Sequence, residues 1–293
     1  MHSLLNKGLI AVFFASLFYG VQSVFMRFIG TDFGVFYPFV VRGLIIASIL
    51  AVFIYLTHSY KKISSKDYKW FLLMPISGIT TFITIFIAVN HIKIGTTLFL
   101  HYASLTITGF ILGYLAFKEK LNQVKFVSLF LSMIGLLLIF SAPRLQEDLL
   151  YLLLALLSGV GSSTWYLMSK KISSKYPYSQ ILAIDSAIVF LLCAVFAISL
   201  KETFYLPNFS FQWASVIGLT AVSFGAYLLS VYGFRFLQAQ IASLVLLLEV
   251  VFGLFLAWIF FSEIPTIQAL IGGVLILIGV ALPNLVFKKV NYT

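Results

Sequence analysis

The 293-residue sequence predicts an all-α integral membrane protein with ten transmembrane helices arranged as two inverted five-helix repeats. Three observations carry that expectation. Hydrophobic residues make up 61% of the chain and charged residues only 10%, against about 25% charged in soluble domains. The charges fall in short clusters between apolar runs long enough to cross a bilayer. The chain also aligns with itself, without a gap, at a spacing of 144 residues. A soluble domain of this length could not hide so much apolar surface, because a single core stops growing at about 250 to 300 residues.

A helix needs about 20 mostly apolar residues to cross the hydrocarbon. Charge-free stretches supply six crossings, at 8–26, 70–92, 94–117, 126–143, 149–169 and 264–287. Three more carry one internal charge each: 36–57 with Arg42, 177–200 with Asp185 and 239–261 with Glu249. A tenth, 211–232, follows the turn residues Leu206-Pro207-Asn208. The first stretch is longer than the apolar part of a signal peptide, about 7 to 15 residues, and is expected to remain as a helix.

The formal charge of +10 raises the possibility of a nucleic-acid partner, but the cations form loop clusters rather than a basic face. Fourteen of the 19 Lys and Arg residues fall in alternate loops and four (Arg27, Lys93, Arg144, Lys201) in the others, with Arg42 inside a span. That asymmetry predicts an inner-membrane protein with both termini in the cytoplasm. The single Cys193 leaves nothing for a disulfide or a Cys-based zinc site. Phosphate loops and His-Glu-x-x-His metal sites are also absent, so neither an enzyme nor a cofactor nor a metal is expected.

In the 144-residue register Gly109 aligns with Gly253, Glu119 with Glu263 and Gly135 with Gly279, while the small-xxx-small pair Gly109/Gly113 maps onto Gly253/Ala257. Five helices per copy is an odd number, so the second copy enters from the opposite side. Glu119 accordingly lies at the Lys-rich end and Glu263 at the Lys-poor end. The expected units are residues 1–145 and 146–293. Two inverted copies have two nearly equivalent arrangements, one open to each side.

The Gly-x9-Glu-x15-Gly pattern in both halves, Arg42 after Tyr37-Pro38, and the five-plus-five layout resemble the drug/metabolite transporter superfamily in its EamA-like branch. The resemblance covers nearly the whole chain. It implies a permease for small organic solutes, within a superfamily that handles amino acids, aromatic compounds, nucleotide derivatives, sugars and drugs. The second half departs from the pattern, having Asp185 or Ser186 where the first has Arg42.

Ionisable groups inside lipid are functional candidates by default. Glu249 lies near the midplane, where a carboxylate could carry a proton or anchor a substrate amine. His101, in the fourth helix beside Tyr102 and Ser104, could titrate or simply hydrogen-bond a neighbour; both are proton-coupling candidates. His91, near Lys93, is expected at the interface. Arg42 is expected to hydrogen-bond carbonyls or hydroxyls of an adjacent helix near the outer face. Asp185 is expected to be structural and within snorkelling reach of Lys170 and Lys171, because the resemblance puts its helix at the periphery. By the same resemblance, substrate contacts come from central helices. The candidates are Tyr19 and Gln22, Thr80 and Thr84, His101 and Tyr102, Trp165, Tyr227 and Glu249, with the first two pairs each sharing a helix face.

The preferred expectation is a secondary transporter of amino acids or related metabolites, working by alternating access with proton coupling through Glu249 or His101. Its partners would be a small-molecule substrate and the lipid bilayer, with no nucleic acid; monomer and homodimer stay equally open. A membrane receptor or assembly subunit that binds without transporting is the alternative in another class. A lipid flippase is a third, although only Arg42 could line its groove.

Overall fold

The computed structural model describes residues 2–29, 33–140 and 148–290, with side chains at 5–29, 33–140 and 148–283. Arg144 and the expected boundary between 145 and 146 lie outside the described residues, as do the side chains of Lys288 and Lys289. Eleven helices follow in order: α1 His2–Ile29, α2 Tyr37–Thr57, α3 Tyr68–His91, α4 Ile94–Phe117, α5 Gln123–Phe140, α6 Leu149–Ser173, α7 Tyr178–Ser199, α8 Phe211–Phe236, α9 Ala239–Leu246, α10 Leu248–Phe261 and α11 Ile267–Val290. Taking α9 and α10 as one span, nine helices among the described residues are long and apolar enough to cross a bilayer. The shorter apolar stretch Ile267–Pro283 of α11 stands as a tenth.

Local chemistry sets the ends. Pro38 opens α2, where its missing N–H costs nothing. Asp148 Oδ1 accepts the Leu150 N–H at the start of α6, and Ser210 Oγ accepts the Trp213 N–H at the start of α8. At the far ends of α4 and α10, Lys118 (φ 55°) and Ser262 (φ 56°) take the left-handed conformation. The next N–H then turns back, Glu119 to Gly113 O at 3.0 Å and Glu263 to Ala257 O at 3.4 Å. Every residue in one motif is 144 positions from its counterpart in the other, so the repeat read in sequence recurs in backbone conformation.

The packing repeats as well. α1 lies along α8 as α6 lies along α3, and α4 meets α6 as α9 and α10 meet α1, while α2·α7, α5·α11 and α4·α9 pair across the exchange of halves. At the α5/α11 contact a Cβ on Gly135 would lie 2.6 Å from Gly272 O, and one on Gly279 would lie 2.8 Å from Ser128 O. Moving both partners by 144 positions turns the first contact into the second, as a pseudo-two-fold axis requires. Only the absent side chain lets these backbones approach so closely.

The distribution of polarity is the reverse of a soluble bundle. Large apolar residues such as Phe53 of α2, Phe130 of α5 and Val195 of α7 face outward, while Ser16, Ser128, Ser132, Ser158, Ser169, Ser223 and Ser230 are fully buried. In lipid, apolar surface has no reason to hide, and small residues let helices meet closely. One span departs from expectation: the ninth crossing is interrupted at Leu247. Leu247 N–H bonds Leu244 O at 3.1 Å and Val250 N–H bonds Leu247 O at 3.1 Å, a tightened turn. Ser16 Oγ of α1 reaches the Val245 carbonyl at 3.1 Å within that turn, supplying a donor where the regular ladder is disturbed.

Candidate functional site

Between the halves lies a cavity of about 280 Å³. Its walls come from α1 (Tyr19, Gln22, Ser23), α2 (Arg42), α3 (Gly78, Thr81, Phe82, Ile85), α4 (Leu98, His101, Tyr102, Leu105), α6 (Ser162, Trp165, Tyr166), α7 (Asp185, Val189), α8 (Tyr227) and α10 (Glu249). Aromatic rings form a continuous set. Tyr19 meets Tyr166 at 6.4 Å and Tyr227 at 6.2 Å between centroids, and Trp165 meets Tyr166 at 5.2 Å and Tyr227 at 5.4 Å. Such a wall suits the flat or apolar part of a ligand.

The polar groups are held by neighbouring helices. Tyr102 Oη donates to Glu249 Oε1 at 3.1 Å, joining α4 to α10, and Trp165 Nε1 donates to Asp185 Oδ1 at 3.0 Å, joining α6 to α7. Glu249 stands in the first turn of α10, where the helix N-terminus favours a carboxylate. Ser223 Oγ donates to Gln22 Oε1 at 3.1 Å. His101 Nδ1 lies 2.8 Å from Ser158 Oγ, whose own proton goes to Ala155 O at 2.6 Å. The imidazole must therefore donate from Nδ1, which in the neutral ring leaves Nε2 as its acceptor.

Several site expectations change. Thr80 and Thr84 do not line the cavity: Thr80 Oγ1 returns to Ile76 O at 2.9 Å and Thr84 Oγ1 to Thr80 O at 2.7 Å. The stripe of α3 that faces inward is Gly78, Thr81, Phe82 and Ile85, about 100° round the helix from the pair picked by sequence. Asp185 is not peripheral but part of the cavity wall, and Lys170 pairs with Glu119 instead. Among the described residues Arg42 bonds no carbonyl or hydroxyl. Its guanidinium carbon sits 4.5, 5.4 and 5.3 Å from the ring centroids of Phe39, Phe82 and Tyr227, and Nη1 is buried with no hydrogen-bond partner. Of the other candidates, Tyr19, Gln22, His101, Tyr102, Trp165, Tyr227 and Glu249 are brought together at the cavity. Ser23, Thr81, Ser162 and Tyr166 were not singled out. Ser162 shares a helix face with Trp165 and Tyr166, a spacing that could have placed it beside Trp165. His91 stacks on Tyr151 with centroids 4.1 Å apart, away from the cavity. Among the described residues no three His, Cys, Asp or Glu side chains converge as metal ligands.

The two ends of the cavity differ. At the Lys-rich end Glu119 Oε1 accepts from Lys170 Nζ at 3.0 Å and from the Ala239 N–H at 2.7 Å, and Oε2 from the Gln240 N–H at 3.2 Å. Lys170 also bonds Leu237 O, and Lys125 Nζ bonds Gln240 Oε1 at 2.6 Å. The carboxylate thus caps α9, and Glu119, Lys125 and Gln240 are all buried. At the opposite end Glu263 accepts from Arg27 Nη2 at 2.7 Å, with both side chains about half exposed (53% and 51%). Arg27 is 144 positions from Lys171, the neighbour of Lys170. Gly109 and Gly253 show the same contrast: a Cβ on Gly109 would collide with Ser243, while one on Gly253 would meet nothing within 4 Å.

The sequence model of the EamA-like transporter family matches this chain twice, at residues 6–141 and 149–285. A Bacillus subtilis (strain 168) protein described as the uncharacterized transporter YdfC is 25% identical over 190 residues. That match spans 61% of this chain and 59% of the relative's length. A solved structure described as the crystal structure of a protein superposes with a TM-score of 0.80 over 97% of this chain and 99% of its own, at 15% identity, a likeness of fold.

Proposed function

The chain belongs to the EamA-like transporter family, and from that premise we propose that it is a secondary carrier of small organic solutes, amino acids or related metabolites, working by alternating access. The observation that carries this reading is the unequal state of equivalent residues at the two ends of the cavity. Glu119 is buried and caps α9 at Ala239 and Gln240. Glu263, its counterpart, sits half exposed on Arg27. The positions equivalent to Ala239 and Gln240 are Gly95 and Thr96, at the start of α4. In the opposite arrangement Glu263 takes those N–H groups and Glu119 releases α9, so that one end opens as the other shuts. Two near-degenerate arrangements serve a carrier; a receptor that binds without transport gains nothing from them.

With the Lys-rich loops in the cytoplasm of an inner membrane, buried Glu119 corresponds to a shut cytoplasmic end and half-exposed Glu263 to an open outer end in this reading. Glu249, held by Tyr102 in the same cavity as the solute, is the proton-coupling group of this reading.

Reconstitution tests it. Liposomes carrying the protein and preloaded with unlabelled amino acids should accumulate a labelled one by counterflow, which a binding protein would not do. Glu249→Gln should retain counterflow and lose the acceleration that an imposed pH gradient gives. Unchanged rate and pH dependence in that variant would remove Glu249 from coupling, and no counterflow across the panel would remove the carrier.

A further inference from the structure

Arg42 is the cavity charge whose bonding is incomplete. A guanidinium stays protonated, has five N–H donors and accepts nothing. In this structure the residue is 2% exposed and Nη1 has no partner. The rings of Phe39, Phe82 and Tyr227 flank it, which eases the positive charge without accepting its in-plane hydrogen bonds. Both cavity carboxylates, by contrast, have a protein donor: Asp185 has Trp165 and Glu249 has Tyr102. Asp185 is near enough to interact with Arg42 electrostatically, yet neither carboxylate comes within ion-pair distance of it. Among the described residues the cavity's cation is thus left with an unpartnered donor, for which an anionic acceptor makes the strongest, charge-assisted bond.

The surroundings narrow that anion. A planar guanidinium fork matches a carboxylate with two parallel hydrogen bonds. The cavity holds one cation and two carboxylates, so a phosphate dianion, with two negative charges, is repelled more strongly there than a carboxylate with one. The Tyr227 ring under the guanidinium continues into Trp165 and Tyr19, an apolar wall beside the anion seat. We propose that Arg42 is the seat for a carboxylate of the transported solute, whose apolar part lies along Tyr227, Trp165 and Tyr19. This deepens the carrier reading and rests on it. A free carboxylic acid and a zwitterion share the recognised group; the zwitterion would add an ammonium within reach of Glu249 or Asp185.

The test is a thermal-shift series on the full chain in nanodiscs with phenylalanine, 3-phenylpropionate, phenylalaninamide and phenyl phosphate, repeated with leucine and leucinamide. The expected result is stabilisation by at least one carboxylate at a concentration tenfold or more below that needed by its matched amide or by the phosphate. Stabilisation by phenylpropionate assigns a free acid, and stabilisation by the amino acids alone a zwitterion. Arg42→Gln should weaken the effective carboxylate at least tenfold, and Arg42→Lys, which keeps the charge and loses the fork, by less. Amides equal to carboxylates, no carboxylate that stabilises, or Arg42→Gln binding as well as the parent overturns the proposal. If Arg42→Gln does not fold, the wild-type comparison of acid with amide decides alone. Carboxylate binding without counterflow would remove the carrier and keep this seat. Counterflow of the carboxylates undiminished in Arg42→Gln would remove the seat and keep the carrier.

Discussion

Replacing Glu119 and Glu263 by Gln, one at a time, separates the two ends of the cavity. The residues are equivalent in the repeat, and the substitution is identical in shape and charge change. Their surroundings are not equivalent. Side-chain exposure is 7% for Glu119 and 13% for its partner Lys170, against 53% and 51% for Glu263 and Arg27. Removing one member of a buried pair costs about 3–5 kcal/mol, because the survivor is left as an uncompensated charge. A Gln at 119 has a single amide oxygen, which can accept the Ala239 N–H while its NH2 faces the Gln240 N–H, and Lys170 keeps Leu237 O, so the cost is at least the lower end, about 3 kcal/mol. That shifts the balance between arrangements about 100-fold, at 1.36 kcal/mol per factor of ten. The exposed pair is worth about 0.2–1 kcal/mol, at most about fivefold. The assay is labelling of a Ser162→Cys probe in the cavity wall, on a Cys193→Ser background, with a membrane-impermeant maleimide from either side of oriented proteoliposomes. Glu119→Gln should raise labelling from the Lys-rich side at least tenfold, and Glu263→Gln should change it little. Equal effects from the two variants would refute the assignment of Glu119 as the closed latch.

The paired glycines give a second contrast. Gly109→Ala forces a methyl group into Ser243 and should cost about 1–3 kcal/mol, visible as a lower melting temperature; Gly253→Ala, with open space around it, should leave melting unchanged or raise it. In the proposed opposite arrangement the two positions would exchange surroundings, so Gly253→Ala should nonetheless slow counterflow. In the loop before α3, Asp67 takes hydrogen bonds from Lys175 Nζ at 2.9 Å and Tyr176 Oη at 2.9 Å. Lys175 first, and Tyr176 after it, hold its carboxyl below the usual carboxylate range. Stability from this contact is therefore complete above the ordinary Asp value of about 3.9 and disappears as pH falls through the lower folded value. The melting gap between the parent and Asp67→Asn should be present at pH 7 and narrow steadily once the pH drops below about 4; a gap independent of pH would remove the ionised contact.

How much of this was legible in the chain follows from what lipid demands. Hydrocarbon excludes charge, so gaps between charges locate spans: the stretch 94–117 was expected and α4 runs Ile94–Phe117. The repeat was legible at Glu119 and Glu263 because Glu is scarce, and the structure supplies its physical content in the matched left-handed residues Lys118 and Ser262. Which face of a span turns inward was less legible. In water, apolar periodicity marks the inner face, but in lipid both faces are apolar and the signal is flat. For that reason the sequence does not separate the face of Thr80 and Thr84 from that of Thr81, one residue away on α3. The break at Leu247 left no trace either, since Leu246-Leu247-Leu248 contains no Gly or Pro.

Arg42 and Asp185 went astray for a different reason, and it bears on how such cavities are built. From the sequence, Arg42 is expected to bond carbonyls or hydroxyls of an adjacent helix, and the family resemblance puts the helix of Asp185 at the periphery. Their chemistry is settled by other helices: Trp165 of α6 holds Asp185, and the rings of α3 and α8 flank Arg42. Asp185 interacts with Arg42 electrostatically without forming an ion pair with it. Here each is held on separate supports, and the separation leaves the guanidinium short of an acceptor. In the proposed seat a solute carboxylate would complete that bonding, which a neutral solute of the same shape would do less well.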